Sequence, residues 1–392
     1  MSSSFNKTQQ QIFISGLVYD QGKSGIAEYT NQLTAALCKH NTVTLALLRR
    51  DTLIFPCQHE NLTVISVSNI FAGPVMNILW HLFLLPFILM FTNCTSLILP
   101  AINRRLCLWS PKPVLGVVHD LSQYAVDGKY DIFRTLYVKF LLPMALPYIT
   151  HIVAISHNTK KDVIKYWNLS DEKISVCYNG YDNSRYQENR PENIPQVLEK
   201  HAITQPYLLY VSRIEHPGKN HIQLIKALEM LSPEQTKDLQ IIFAGGDWNG
   251  AEQVKKYVSN SPLANKIQFL GYVLVEELPA LYHGALASVI PSLYEGFGIP
   301  LVEAMACATP TLCSNNSALN EVAGNAALTF NPRNVKDISQ KLSSILQHKQ
   351  LRTELSQKGL QRCQHFSWNR LATHIGLKLE MITYPFKIQQ SL

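Results

Sequence analysis

The chain alternates short, unbroken apolar runs with segments of helical spacing. QIFISG (11–16) leads through a loop into GIAEYTNQLTAALCKH, where Ile26, Leu33 and Leu37 fall close to one helical face. NTVTLALL, LTVISV, SLILP, PVLGVVHD and HIVAIS (151–156) continue the series. A run that is apolar throughout needs cover on both faces, which is the situation of parallel strands in an α/β sheet. The pattern restarts at PYLLYVSR and proceeds through a helix at 220–231, LQIIFAGG, a helix at 251–259, KIQFLG, a helix at 276–283 and LASVIPS. TPTLCS, a short helix at 317–323, AALTF and two or three closing helices complete it. Two successive doubly wound α/β units follow from this order.

Length agrees, because 392 residues exceed what one hydrophobic core supports, and 46% hydrophobic residues suffice for two cores. The first unit is expected over 1–186, joined by the closing helix 368–392, and the second over 187–367. The polar, twice proline-broken stretch YQENRPENIPQVLEKHAITQ is read as the linker. Open sheets of this kind bind ligands at the carboxyl ends of their strands, so two such units facing each other are expected to form a cleft.

Charge and cysteine content exclude other classes. Lys and Arg number 35 against 28 Asp and Glu, but the net +7 is spread along the chain without the basic runs of a nucleic-acid arm. Weak attraction to anionic lipid or to phosphorylated ligands fits better. The eight cysteines form no CxxC pair and no zinc spacing, and read as reduced, buried hydrophobes. MSSSFNKTQQ lacks a signal-peptide core, so a cytoplasmic protein is expected. NILWHLFLLPFILMF (77–91) is the most hydrophobic stretch, yet it falls short of the ~20 residues of a membrane span. It is read as a buried helix, with an interfacial helix as the alternative.

Four clusters could carry chemistry. In PSLYEGFGIPLVEAMA (291–306), a strand end leads into a loop bearing Glu295, then into a helix with Pro300 in its first turn and Glu303 beyond it. Gly296 and Gly298 let a ligand approach the main chain, and the helix start offers N–H groups to an anion. YVSRIEHPGKN places Arg213 and Lys219 after a strand, with Pro217-Gly218 bending the chain so that both cations can converge on one phosphate pair. GLVYDQGKSGIAEY brings Gly22 and Gly25 before the first helix, at a spacing that matches neither standard phosphate loop. LGVVHDL ends a strand with His119, which is either a structural histidine or a partner for a substrate hydroxyl.

Together with AISHNTKKDV, ISVCYNGYD, SALNEVAGNAALTFNP and FSWNRLA, these motifs resemble the retaining family 4 glycosyltransferases of the GT-B fold, over most of the chain. EGFGIPLVE matches the family's two-glutamate signature. GIAEYT and HDL look most like bacterial enzymes that add mannose or related sugars to surface polysaccharides, and that likeness implies peripheral contact with the inner membrane as an expectation.

The resemblance implies a nucleoside diphosphate sugar as donor and a glycan or lipid-linked acceptor, with no metal and no other cofactor. Glu303 would hold the ribose hydroxyls and Glu295 the donor sugar. Arg213 and Lys219 would bind the diphosphate, helped by amides near Gly25 and at Leu301 and Val302. Amides at Phe297, Gly298 and Ile299 would touch sugar hydroxyls, and His119 would face the donor sugar from the other domain. The leaving diphosphate would accept the acceptor's proton in a front-face displacement. The family commonly has Gly where this chain has Ala308. A GT-B sugar-nucleotide epimerase and a non-catalytic sugar-nucleotide-binding protein are the rival readings.

Overall fold

The computed structural model describes residues 9–103, 105, 107–125, 139 and 142–390. Each of its two compact units is organised by one parallel sheet. The first unit takes the chain as far as Leu121, the residues leading to Asn179, and those from Ser367 onward. Its strands are β1 (Gln11–Ser15), β2 (Thr42–Leu48), β3 (Leu62–Val67), β4 (Ser96–Leu99), β5 (Val114–Val118), β6 (His151–Ala154) and β7 (Ile174–Val176). They lie in the order β3-β2-β1-β4-β5-β6-β7. β4, β5 and β6 are buried at every position, as strands covered on both faces must be. The order reverses between β1 and β4, so the loops after these strands flank the natural ligand position.

The closing helix Trp368–Gln390 belongs to this unit. Trp368 packs edge-on against Tyr29 at 5.7 Å, and His374 Nε2 lies 3.1 Å from Ser175 Oγ. Lys39 Nζ donates to Asn369 Oδ1 at 3.0 Å.

The second unit contains Gly180–Phe366. Its strands are β8 (Tyr207–Val211), β9 (Gln240–Ala244), β10 (Ile267–Gly271), β11 (Ala287–Ile290), β12 (Thr311–Ser314) and β13 (Leu328–Phe330), ordered β10-β9-β8-β11-β12-β13. Here the order reverses between β8 and β11. The helices Ala251–Ser259 and Ser317–Ala323 fall where helical spacing placed them.

The expected linker proves to be part of this unit, and the change of unit comes earlier, at Asn179/Gly180. Tyr181 Oη donates to Cys363 Sγ at 3.6 Å and Tyr186 packs against Tyr282 at 6.0 Å. Ile194–Lys200 is a helix with Ile194 and Val197 buried, and His201 Nε2 sits 2.9 Å from Glu277 Oε2. The polar composition of this stretch belongs to an exposed irregular segment at 187–193 and to the outer face of the helix.

The apolar stretch also departs from its expected place. Pro74–Leu79, Trp80–Leu84 and Leu85–Met90 follow one another as helix, π-turn and helix. Leu85 N–H bonds to the Trp80 carbonyl five residues back, just ahead of Pro86, which has no N–H to give. Trp80, His81, Leu85 and Leu89 are buried, but Phe83, Phe87 and Met90 are exposed. The stretch is therefore not a buried helix, because its polar residues Asn77 and His81 turn inward and leave apolar side chains outside. Among the described residues no helix is long and apolar enough to cross a membrane.

The eight cysteines are free, and burial pushes the thiols of Cys107 and Cys313 up to about 12.

Candidate functional site

β8 and β11 are neighbours at the reversal point of the second sheet, and the loops leaving their carboxyl ends carry the charged residues. Lys219 and Glu295, drawn from separate motifs, meet there: Nζ lies 2.6 Å from Oε1, and each side chain is under one-fifth exposed. Burial alone pulls the Lys219 ammonium down, but the Glu295 carboxylate outweighs it and holds the group above the ordinary lysine value. Ser292 Oγ donates to the same carboxylate oxygen at 2.7 Å, and Tyr210 Oη lies 3.0 Å from Ser292 Oγ. The Lys219 carbonyl is also 3.0 Å from Tyr210 Oη, so the one proton of this buried strand tyrosine is shared between an acceptor in each loop.

Other residues fix the two loops in place. Asn220, at φ 62°, donates through Nδ2 to the Pro291 and Pro332 carbonyls, both at 2.9 Å. The Leu293 amide donates to the Gly218 carbonyl at 2.9 Å, and the Glu295 amide to Ser317 Oγ at 3.0 Å. Tyr210, Ser292, Asn220 and Ser317 were not singled out from the sequence. Only Asn220 carried a local signal, through its place beside Lys219 in PGKN.

Arg213 has a separate anchor. Its guanidinium sits 4.6 Å above the Trp248 ring and 3.5 Å from Glu215 Oε2, and its side chain is about half exposed. That leaves a cation on the rim, stacked rather than buried.

The helix Ile299–Ala306 starts at Gly298, whose φ of 97° is a left-handed conformation. A Cβ on Gly298 would lie 2.6 Å from Leu319 Cδ2, so this position needs glycine for both angle and space. Glu303, on the second turn, accepts from Tyr282 Oη at 3.1 Å. Tyr186 lies beside them, its hydroxyl raised by burial first and then by the Glu303 charge.

The amides divide into groups. The Leu301 N–H is already donated to the Gly298 carbonyl at 3.0 Å, which takes it from the set offered to phosphate. Phe297 is buried against Phe366 at 5.4 Å, and Leu301 and Val302 are fully buried, so these residues can meet a ligand only through their main chain. Ile299 is half-buried at the helix start.

In the first unit, Gly25 opens the helix Gly25–Cys38, capped by Ser24, whose Oγ accepts from Ala27 N at 3.3 Å. A Cβ on Gly25 would meet no atom within 4 Å among the described residues, so no steric demand of the fold explains this glycine. His119 is buried, with Nε2 2.7 Å from the Pro100 carbonyl and its ring edge-on to Tyr29 at 4.7 Å. Because a carbonyl only accepts, the proton sits on Nε2, and any approach to another group is through Nδ1. A surface recess lined by Lys39, Asn41, Asn369 and Glu380 lies at the amino-terminal end of the first sheet, before β2 begins.

Comparison with known proteins bears on the family and the fold. The model for Glycosyltransferase Family 4 matches residues 23–185, and that for Glycosyl transferases group 1 matches residues 193–362. O-antigen chain mannosyltransferase B of Escherichia coli is 32% identical over 65% of this chain and 67% of its own. O-antigen chain mannosyltransferase RfbU of Salmonella typhimurium is 32% identical over 59% of this chain and 60% of its own, so the chain spans less than two thirds of that relative. Anabaena Alr3699/HepE, solved with UDP and glucose, superposes with a TM-score of 0.72 at 17% identity, over 95% of this chain and all of that one. Two Rossmann-like sheets, a family model on each half and a relative aligned over two thirds of its length place the chain in the family 4 glycosyltransferases, on the GT-B fold.

Proposed function

We propose that this glycosyltransferase moves a hexosyl group, mannosyl above others, from a nucleoside diphosphate sugar to a glycan or lipid-linked acceptor in surface-polysaccharide synthesis, at the cytoplasmic face of the membrane. The observation that carries the reading is the Lys219–Glu295 pair at the reversal point of the second sheet, with Glu303 on the helix that follows. The names of the two O-antigen mannosyltransferases support the sugar and the acceptor class.

In this reading Lys219 and Arg213 stabilise the charge that develops on the departing diphosphate, without a metal. Glu295, held by Lys219 and Ser292, orients the sugar, and Glu303 accepts from the ribose hydroxyls. Main-chain groups of Phe297, Gly298 and Ile299 meet the sugar, and the Val302 amide adds to the phosphate side. The bond from the anomeric carbon to the phosphate oxygen breaks as the acceptor oxygen bonds to that carbon on the same face, and the acceptor's proton passes to the leaving phosphate.

Thermal melts with GDP-, UDP-, ADP- and dTDP-sugars test the donor: a ligand at 100 times its Kd raises folding stability by about 2.7 kcal/mol. Turnover with an acceptor glycan tests transfer. If no sugar nucleotide shifts the melt and Glu303→Ala changes nothing, the reading fails. Conversion of the donor with no acceptor present assigns an epimerase instead.

A further inference from the structure

The segment 74–91 is built inside out. A surface helix normally turns its apolar side chains to the core and its polar ones to water. Here the two polar side chains, Asn77 and His81, are each only 1% exposed. His81 Nδ1 donates to the Asn77 carbonyl at 2.8 Å, which leaves Nε2 to accept from Ser15 Oγ at 2.9 Å. Asn77 Nδ2 donates to the Leu17 and Phe71 carbonyls at 3.3 and 3.0 Å, and Oδ1 accepts from Arg105 Nε at 2.5 Å. This polar seam fastens the segment to the carboxyl end of β1. Outside, Val75, Leu79, Phe83, Phe87, Met90 and Phe91 form a stripe without a charge, and Phe91 is 85% exposed.

The stripe has a rim. Trp109, partly exposed, packs edge-on to Phe87 at 6.1 Å. At the other end Leu53 (89% exposed) and Ile70 extend the apolar surface. Exposed Arg49 and Arg50 stand beside them, since the Arg50 amide donates to Asn69 Oδ1 at 3.0 Å. An apolar patch of this extent marks an interaction surface. A two-fold contact with a second copy sets the same patch on itself, and the exposed residues of this patch offer Arg49 and Arg50 no carboxylate. An anionic bilayer complements both the apolar stripe and the rim. The segment cannot thread the bilayer without breaking its inner hydrogen bonds, so it lies in the interface plane.

We propose that this face docks the protein on an anionic lipid bilayer, with the outer side of 75–91 at the headgroup–acyl boundary and Arg49 and Arg50 on lipid phosphates. The docking deepens the lipid-linked-acceptor reading above and is measured without any donor, so the two succeed or fail separately. Co-sedimentation of the full chain is measured with vesicles of phosphatidylcholine alone and with added phosphatidylglycerol. Binding is expected to the anionic vesicles, with a loss of at least ~10-fold in F83S/F87S. A loss of about fivefold per arginine is expected in R49E/R50E, shrinking as salt is raised.

Absence of binding to anionic vesicles, or undiminished binding by F83S/F87S, overturns the proposal. A wild-type dimer in sedimentation analysis that F83S/F87S dissolves assigns the face to a second copy and overturns it as well. Should F83S/F87S melt early, the wild-type chain still decides. Brominated lipid is expected to quench a component of its fluorescence that Trp109→Phe removes, and equal quenching in both proteins overturns the assignment.

Discussion

Glu295 and Lys219 act as one unit, so the informative substitutions keep the pair's shape. Glu295→Gln retains an oxygen for Ser292 and Lys219 and removes only the charge. We expect it to slow transfer by about 10²-fold while donor binding, read by calorimetry, holds within about threefold. Glu303→Gln is expected to do the reverse: Tyr282 can still donate to the amide oxygen, but a charged acceptor for ribose is lost, weakening nucleotide binding about 10-fold. Equal effects of the two substitutions on binding and rate count against these roles. Ala308 presents a different matter. It stands at φ 55°, a left-handed conformation that costs a side-chain-bearing residue about 1–2 kcal/mol. Ala308→Gly relieves that strain but loosens the unfolded chain, so we expect a net gain of about 0.5–1 kcal/mol in denaturant melts.

The loops after β8 and β11 are held by groups far apart in sequence. Asn220 bridges two buried carbonyls, one of them 112 residues away. Asn220→Ala removes both bonds and leaves the carbonyls dry, which we expect to cost about 2–4 kcal/mol, and both loops should lose amide protection from hydrogen exchange together. Loss of protection in one loop alone would show that they are not coupled through this residue. Such ties explain what the sequence concealed. Apolar runs disclosed twelve of the strands, most plainly β4, β5, β6, β11 and β12, where burial on both faces writes itself into composition. The edge strand β7 was missed because its three residues follow the charged run DEK, whereas the equally short β13 is preceded by two alanines that lengthen its apolar run. Charged residues after strands disclosed Arg213, Lys219, Glu295 and Glu303, but not their partners: Tyr210 and Ser292 lie 82 residues apart and look like ordinary strand-end residues. Composition also misplaced 74–91, since an apolar run does not say which of its faces meets the core. The expected linker failed for the converse reason: 187–193 is a polar, exposed segment, but it lies inside the second unit, and polarity does not tell a linker from a surface loop.

At the scale of the molecule, both units bury neutral histidines, which couples their stability to acid. Burial lowers His81 of the first unit to about 3 and His221 of the second to about 3, against an ordinary 6.5. His81 is sealed by Ser15 and the Asn77 carbonyl, and His221 is packed between Tyr210 at 4.8 Å and Phe243 at 5.1 Å. A base depressed in the folded state binds fewer protons folded than unfolded. Its contribution is therefore whole above 6.5 and is lost steadily as pH falls from there toward 3. Each histidine should withdraw roughly 2 kcal/mol by pH 5. We expect melts at pH 7.5 and pH 5.0 to show both units weakened on acidification. His221→Phe, which keeps an aromatic ring between Tyr210 and Phe243, should flatten the dependence of the second unit alone. A melting temperature that does not move between these pH values means that the two imidazoles accept protons without leaving their sites, and that neither is sealed in the way described.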